Sequence, residues 1–236
     1  MVMRVSGVIF DLFHTLTGLE SEWSELPVTS SVLGVDRRAW DDVLTANSHW
    51  RVVGELRDPF AILRRLADQV DPALPDVLVR KAVEIRIERF RHSLAKIPAA
   101  NVEALNRLRS TGLHLGLISN ADAMEVASWP NCPLAGVFDV EIFSCDVGMA
   151  KPDAAIYRKC LNAMGLPAEE CLFVGDGGSN ELAGAKAVGL KTVFISGIIK
   201  ELWPERIPSR LAAADHHIEQ LPEILELVSA LRSVRL

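Results

Sequence analysis

Asp11, Ser119, Lys151 and Asp176 each stand where a short apolar run gives out. Asp11 closes VSGVIFD and leads to Thr15, and Ser119 with Asn120 closes LHLGLISN. Lys151 lies in a loop after VEIFSCDV, and Asp176 closes CLFVGD with Asn180 and Glu181 one turn on. In an open parallel sheet, ligands bind beyond the carboxyl ends of the strands, so these side chains are aimed at one edge. A carboxylate there can attack a phosphorus or carbon centre and form a covalent intermediate that water hydrolyses. A hydroxyl, a backbone N–H and a lysine can stabilise the charge that phosphoryl transfer spreads over equatorial oxygens. Asp11 and Asp176 offer oxygen ligands suited to Mg²⁺, which offsets the repulsion between a carboxylate nucleophile and a phosphate dianion. Any one of these residues alone reads as an ordinary cap or turn. The ordered set reads as a site.

Positioning that set requires strands. Five apolar runs and a weaker sixth, DHHIEQL, are strand-like, and from Asn101 on they alternate with helical patterns. NVEALNRLRSTG stops at Gly112, DAAIYRKCLNAMG runs from Asp153 to a Gly165 stop, and SNELAGAKAVG runs from Ser179 or Asn180 to Gly189. Alternation of this kind predicts an α/β fold, a parallel sheet with helices on both faces. The stretch from Gly18 to about Pro98 has almost no strand-like run; its amphipathic segments, with helix starts at Asp58-Pro59 and Pro75-Asp76, predict a helical insertion of roughly eighty residues. The expected division is a core of residues 1–17 and 97–236 and an inserted unit of residues 18–96.

With 236 residues there is ample chain for a large core, and a formal net charge of -6 argues against a broad nucleic-acid-binding surface. No apolar run reaches membrane-spanning length, and the short apolar stretch at the N-terminus reads as a first strand and not as a signal peptide. Cys132, Cys145, Cys160 and Cys171 fit no zinc or disulfide spacing, which points to reduced thiols and a cytoplasmic location. His216 and His217 are adjacent, so on a strand they face opposite ways and make a poor metal pair. The glycines of VGDGGSNELAG do not complete a dinucleotide-binding fingerprint.

The stretches VIFDLFHTL, LGLISNA, GMAKPDAAIY and CLFVGDGGSNELAGAKAVG, spread from about Val5 to Ile195, resemble the haloacid dehalogenase superfamily of hydrolases. That resemblance implies a Rossmann-like core with an α-helical cap inserted after the first strand. It implies Asp11 as nucleophile, Thr15 as the first-motif threonine, Ser119 with Asn120 as the second motif, and Lys151 as the third-motif lysine. It further implies Mg²⁺ held by Asp11, Asp176 and the backbone carbonyl of Phe13, with Glu181 as a second acid and Asn180 beside it. The partner implied is a small-molecule substrate, phosphorylated, with no nucleic acid and no membrane.

The pattern departs at Phe13. Family phosphatases carry a second aspartate there, which protonates the departing alkoxide; losing a general acid–base costs about 10²- to 10⁴-fold. Family dehalogenases carry an aromatic residue at that position, but they also replace the metal acid by serine, whereas this chain keeps Asp176 and Glu181. A carboxylate pair facing Asp11 demands a cation, so a Mg²⁺-dependent phosphatase is the leading expectation. A metal-independent 2-haloacid dehalogenase and a non-catalytic binding protein that keeps the site are the alternatives. A phosphatase with Phe13 needs either a substrate with a good leaving group or another proton source, for which His14 is the neighbouring candidate. Trp23, Trp40, His49, Trp50, Arg51 and Arg57 are the insertion's candidates for contacting substrate.

Overall fold

The computed structural model describes residues 4–233, the side chains of Ser21 and Trp23 excepted, so Trp23 lies outside the described residues. Six parallel strands form one sheet: β1 (Gly7–Phe10), β2 (His114–Ser119), β3 (Val140–Phe143), β4 (Cys171–Gly175), β5 (Lys191–Ile195) and β6 (His216–Ile218). Their order is β3-β2-β1-β4-β5-β6. All six expected runs became strands. Alternation sets the two faces: Val8 and Phe10 pack one way with Leu117 and Val174, while Ile9 packs the other way with Ile118 and Phe173. Both faces are covered, as a parallel sheet requires.

Between β1 and residue 97 lie only helices among the described residues: α1 (Glu20–Trp23), α2 (Thr29–Leu33), α3 (Arg37–Ala46), α4 (Ser48–Val52), α5 (Pro59–Val70) and α6 (Asp76–Ala95). Asp58 caps α5 by accepting from Ala61 N, with Pro59 at its first position. The insertion has an apolar cluster of its own, built on Trp40, Trp50, Ile62, Leu66 and Val79, and Met124 reaches into it from the loop after β2. The remaining helices follow in chain order: α7 (Ala99–Ser110), α8 (Ser144–Val147), α9 (Ala154–Met164), α10 (Glu181–Ala187), α11 (Gly197–Leu202), α12 (Ile207–Ala213) and α13 (Ile224–Ser233). Helix α9 begins at an Asp153 cap and ends on left-handed Gly165, where the sequence put both. Helix α10 starts later than either expected residue. Ser179 and Asn180 have φ of 51° and 53°, and this left-handed pair turns the chain before Glu181 opens the helix.

Asp215 fixes the edge strand β6. Its Oδ2 accepts from Thr192 N at 2.9 Å and Thr192 Oγ1 at 3.0 Å, and its Oδ1 pairs with Lys186 Nζ at 3.1 Å. Partial burial pushes its carboxyl up, but the Thr192 and Lys186 donors outweigh burial and hold it below the ordinary carboxylate range. A lowered carboxyl stabilises the fold above its unfolded pKa and loses that contribution as pH falls through the folded one. Asp215→Asn is therefore expected to cost about 1 kcal/mol near neutrality, lowering Tm by about 2–4 °C. Melting curves taken down through the carboxylate range should show the difference from wild type closing.

Candidate active site

Sheet order places β1 beside β4, with successive strands running outward in opposite directions from that pair, which opens a crevice at their carboxyl ends. Asp11 N donates to Val174 O at 2.9 Å, so Asp11 emerges level with the end of β4, and Asp176 follows two residues on. Thr15 Oγ1 donates to Asp11 Oδ2 at 3.0 Å. Lys151 Nζ bonds Asp11 Oδ1 and, at 2.6 Å, Glu181 Oε2. Asn120 holds the lysine's loop twice, accepting from Lys151 N and donating to Lys151 O, both at 2.8 Å. A Cβ at Gly184 on α10 would stand 2.5 Å from the Pro152 carbonyl, so glycine there lets the helix approach that loop closely.

The carboxylates are equally constrained. Glu181 Oε1 accepts from Gly177 N at 3.0 Å, and any side chain at Gly175 would collide with the Glu181 carboxylate. Asp176 Oδ1 accepts from Gly178 N at 2.8 Å, and its Oδ2 accepts from Arg210 Nη1 at 3.0 Å. The same Arg210 nitrogen bonds the Asp176 carbonyl. Ligand-capable oxygens of Asp11, Asp176 and Glu181 all lie within 4.8 Å of one another, and all three residues are buried. Burial pushes Asp11 above its ordinary range; Lys151 opposes that shift and Asp176 adds to it. Burial raises Glu181 strongly, against the pull of Lys151 and with the push of Asp11 and Asp176. Lys151 goes up as well: burial alone would lower it, but Asp11 and Glu181 outweigh burial.

Three buried carboxylates thus face two buried cations, Lys151 and Arg210. With all three ionised the set would carry one negative charge in excess; the upward push on Asp11 and Glu181 reflects that shortage of positive charge, and the hard oxygen donors suit a divalent cation of the Mg²⁺ type. Arg210 was absent from the sequence reading. It comes from α12, far along the chain in no recognisable motif, and only the fold shows it closing the cluster.

Other expected residues fall into place unequally. Ser119 is fully buried, with no hydrogen-bond partner for its hydroxyl among the described residues. Asn180 is exposed just before α10 and lines a neighbouring surface pocket with Arg206 and Ser209, outside the cavity that holds Asp11 and Asp176. His14 has φ of 61°, its ring edge-on to Trp203 at 5.2 Å. Phe13 meets Phe90 edge-to-face at 5.5 Å. Both residues line the small cavity holding Asp11, Lys151 and Asp176, and both also line a larger one of about 370 Å³ beneath the insertion.

Of the insertion's expected contacts, Trp40 lines this larger cavity. Trp50 instead packs inside the helical cluster and donates Nε1 to Asn47 at 2.8 Å. Arg51 is spent on Asp122 Oδ2 at 2.6 Å, Arg57 pairs with Asp146, and His49 is exposed. The wall is built by α3, through Arg37, Trp40, Asp41 and Leu44, and by α6, through Arg86, Arg89, Phe90 and Ser93. Their spacing of three, four and seven residues puts each set on one helix face, a signal the sequence carried and the reading passed over.

A family model described as haloacid dehalogenase-like hydrolase matches residues 5–189. The chain belongs to the haloacid dehalogenase-like hydrolases. It is 32% identical over 236 residues to a glyceraldehyde 3-phosphate phosphatase of Pyrococcus furiosus, the match covering 95% of this chain and 93% of that one. A glyceraldehyde 3-phosphate phosphatase of Methanocaldococcus jannaschii is 30% identical over 135 residues, and there the match spans about half of each protein, 56%. Among solved structures, a 2-haloacid dehalogenase from Pseudomonas syringae pv. Tomato superposes with a TM-score of 0.63 at 22% identity, covering 96% of this chain and 99% of that one. At that identity the likeness speaks for the shared fold alone.

The excess negative charge makes two stability changes of opposite sign expected in EDTA. Asp11→Asn, which removes a buried carboxylate, leaves an oxygen to accept from Lys151 and turns the Thr15 hydroxyl into the acceptor of the amide N–H, should raise Tm by about 2–4 °C. Arg210→Met, which leaves Asp176 without its cation, should destabilise by about 3 kcal/mol. Calorimetry of the two variants beside wild type checks both signs.

Proposed function

We propose that this hydrolase is a Mg²⁺-dependent phosphatase acting on a small phosphorylated metabolite through an aspartyl-phosphate on Asp11. The observation that carries the reading is the buried cluster of Asp11, Asp176 and Glu181, whose charge Lys151 and Arg210 leave uncompensated. The relatives named as phosphatases support the same chemistry. When bound, Mg²⁺ neutralises phosphate charge at the nucleophile; Asp11, Asp176 and the Phe13 carbonyl would hold it, with Glu181 in support.

Asp11 attacks phosphorus, the P–O ester bond breaks, and the departing oxygen takes a proton from His14 to leave as the alcohol. Water then hydrolyses the acyl phosphate and restores Asp11. Thr15 orients the attacking carboxylate through its 3.0 Å bond, and Lys151, fixed by Asn120, offsets charge on the transferred group. The unpartnered Ser119 hydroxyl is assigned to the phosphoryl oxygens. Phe13 has no proton to give and its ring lies against Phe90. His14, which lines both cavities, is the supporting residue for the departing oxygen. The helical insertion acts as the cap, and the four free, buried cysteines are consistent with a cytoplasmic enzyme.

One observation favours a second reading. The aromatic Phe13 suits a 2-haloacid dehalogenase, whose halide leaves without a proton, with Asp11 attacking carbon.

Hydrolysis of p-nitrophenyl phosphate and acetyl phosphate should require Mg²⁺, stop in EDTA, and fall at least about 10³-fold in Asp11→Asn. His14→Gly, which suits the left-handed backbone better than histidine, should lower kcat/KM for alkyl phosphates by about 10²-fold or more while changing p-nitrophenyl phosphate far less. No phosphate release from either activated ester, together with halide release from 2-chloropropionate in EDTA, would replace the phosphatase by the dehalogenase.

A further inference from the structure

The larger cavity has a charge pattern opposite in kind to the cluster beneath it. Each arginine on its wall already holds a carboxylate of the same wall. Arg86 Nη2 bonds Glu125 at 2.5 Å, Arg89 pairs with Glu20, and Arg37 pairs with Asp41 at 3.5 Å. Behind the wall, Arg86 also lies 3.6 Å from Asp122, which Arg51 holds at 2.6 Å, so these two arginines and two acids cancel among themselves. Arg89 is further occupied by the Leu26 carbonyl. Arg86 keeps one buried Nε–H without a partner among the described residues, but its charge is answered by Glu125 and Asp122, so a second phosphate or a carboxylate entering here would lose its water without meeting an uncompensated cation.

Other features of the wall suit a different guest. Phe13 and Phe90 present an aromatic corner beside Trp40, which packs well against the C–H face of a polyol or sugar. Ser93 lines the cavity, is fully buried, and has no partner for its hydroxyl among the described residues. A buried hydroxyl left unpaired is costly, and a hydroxyl of the guest would satisfy it. The volume of about 370 Å³ is at the small end for a ligand site.

We propose that the site takes phosphate monoesters of small, uncharged, hydroxyl-bearing alcohols and discriminates against leaving groups that carry a carboxylate or a second phosphate. This rests on the phosphatase reading above, and it names the substrate class by the charge balance of Arg86, Arg89 and Arg37 with their carboxylates.

Glycerol 3-phosphate and 3-phosphoglycerate share a three-carbon skeleton and differ in one carboxylate, which makes them the probe pair. Isothermal titration of Asp11→Asn protein with Mg²⁺ at pH 8 measures both without depending on turnover, while p-nitrophenyl phosphate hydrolysis by wild type tests the phosphatase reading separately. Glycerol 3-phosphate is expected to bind at least about tenfold more tightly. Adding Glu20→Gln at the half-exposed partner of Arg89, or Glu125→Gln at the partner of Arg86, should shift the ratio toward 3-phosphoglycerate by about tenfold. Equal or tighter binding of 3-phosphoglycerate to the protein with both glutamates intact overturns the proposal. So does binding of orthophosphate without any binding of glycerol 3-phosphate, because the wall would then reject the uncharged alcohol too. Absence of p-nitrophenyl phosphate turnover would count against the phosphatase reading while leaving the binding comparison to be read in its own right.

Discussion

Three buried carboxylates held together by two buried cations is an arrangement that folding alone does not favour. Taking each charge out of water costs several kcal/mol, and the mutual attraction returns it only when geometry and hydrogen bonding are complete. Here the hydrogen bonding is nearly complete and the charge is not. Asp11, Asp176 and Glu181 each accept from fixed donors, yet the sum stays negative. Much of the core serves to hold that sum in place. The β1–β4 register sets Asp11 against Asp176, Asn120 ties down the Lys151 loop, and glycines at 175 and 184 let the acid and the lysine loop come close. The strain of the arrangement is the chemical capacity of the site, since the missing positive charge is what a divalent cation supplies.

Above the cluster the logic reverses. The wall provided by α3 and α6 brings cations, each paired with a carboxylate of the same wall. The unbalanced end is the negative one, so it could receive a phosphoryl group only with a divalent cation in place, whereas the cavity above it is charge-balanced and has aromatic and hydroxyl walls. Met124 in the insertion's apolar cluster and Asp122 between Arg51 and Arg86 bind the loop after β2 to the helices above it. The cavity wall and the sheet edge are thus joined through one short loop, and the spacing between the two chemical environments is set by packing.

The sequence made most of this legible for a physical reason. Strands that end in chemistry carry both an apolar run and an abrupt polar stop, so β1, β2 and β4 announced themselves with Asp11, Ser119 and Asp176. Gly165 marked the end of α9 because left-handed closure favours glycine. What escaped were residues whose role depends on a partner distant in the chain. Arg210 sits 34 residues from Asp176 and looks like any helical arginine. Trp50 and Arg51 looked like substrate contacts and turned out to hold the insertion together, because a tryptophan and an arginine are as useful to a core as to a ligand. Ser179 and Asn180, expected to open α10, take left-handed turns, a conformation that asparagine tolerates and serine rarely adopts.

Phe13 shows how one substitution couples the two environments. The loop from Asp11 to Thr15 has five residues, and their side chains serve different purposes. Asp11 and Thr15 are hydrogen-bonded to each other, Leu12 is buried in the core, and His14 borders both cavities. An acid at position 13 would set a carboxylate beside Phe90 and near Arg86, whose guanidinium lies 4.9 Å from the Phe90 ring. Arg86 would then face a further carboxylate in addition to Glu125 and Asp122, and the neutrality of the wall would be lost. Phenylalanine keeps that wall apolar and charge-balanced, and in doing so it gives up the proton that an acid would have carried. The charge-balanced cavity and the absent acid are two consequences of the same side chain, so under the proposed phosphatase reading the choice of leaving group and the source of its proton would be physically linked.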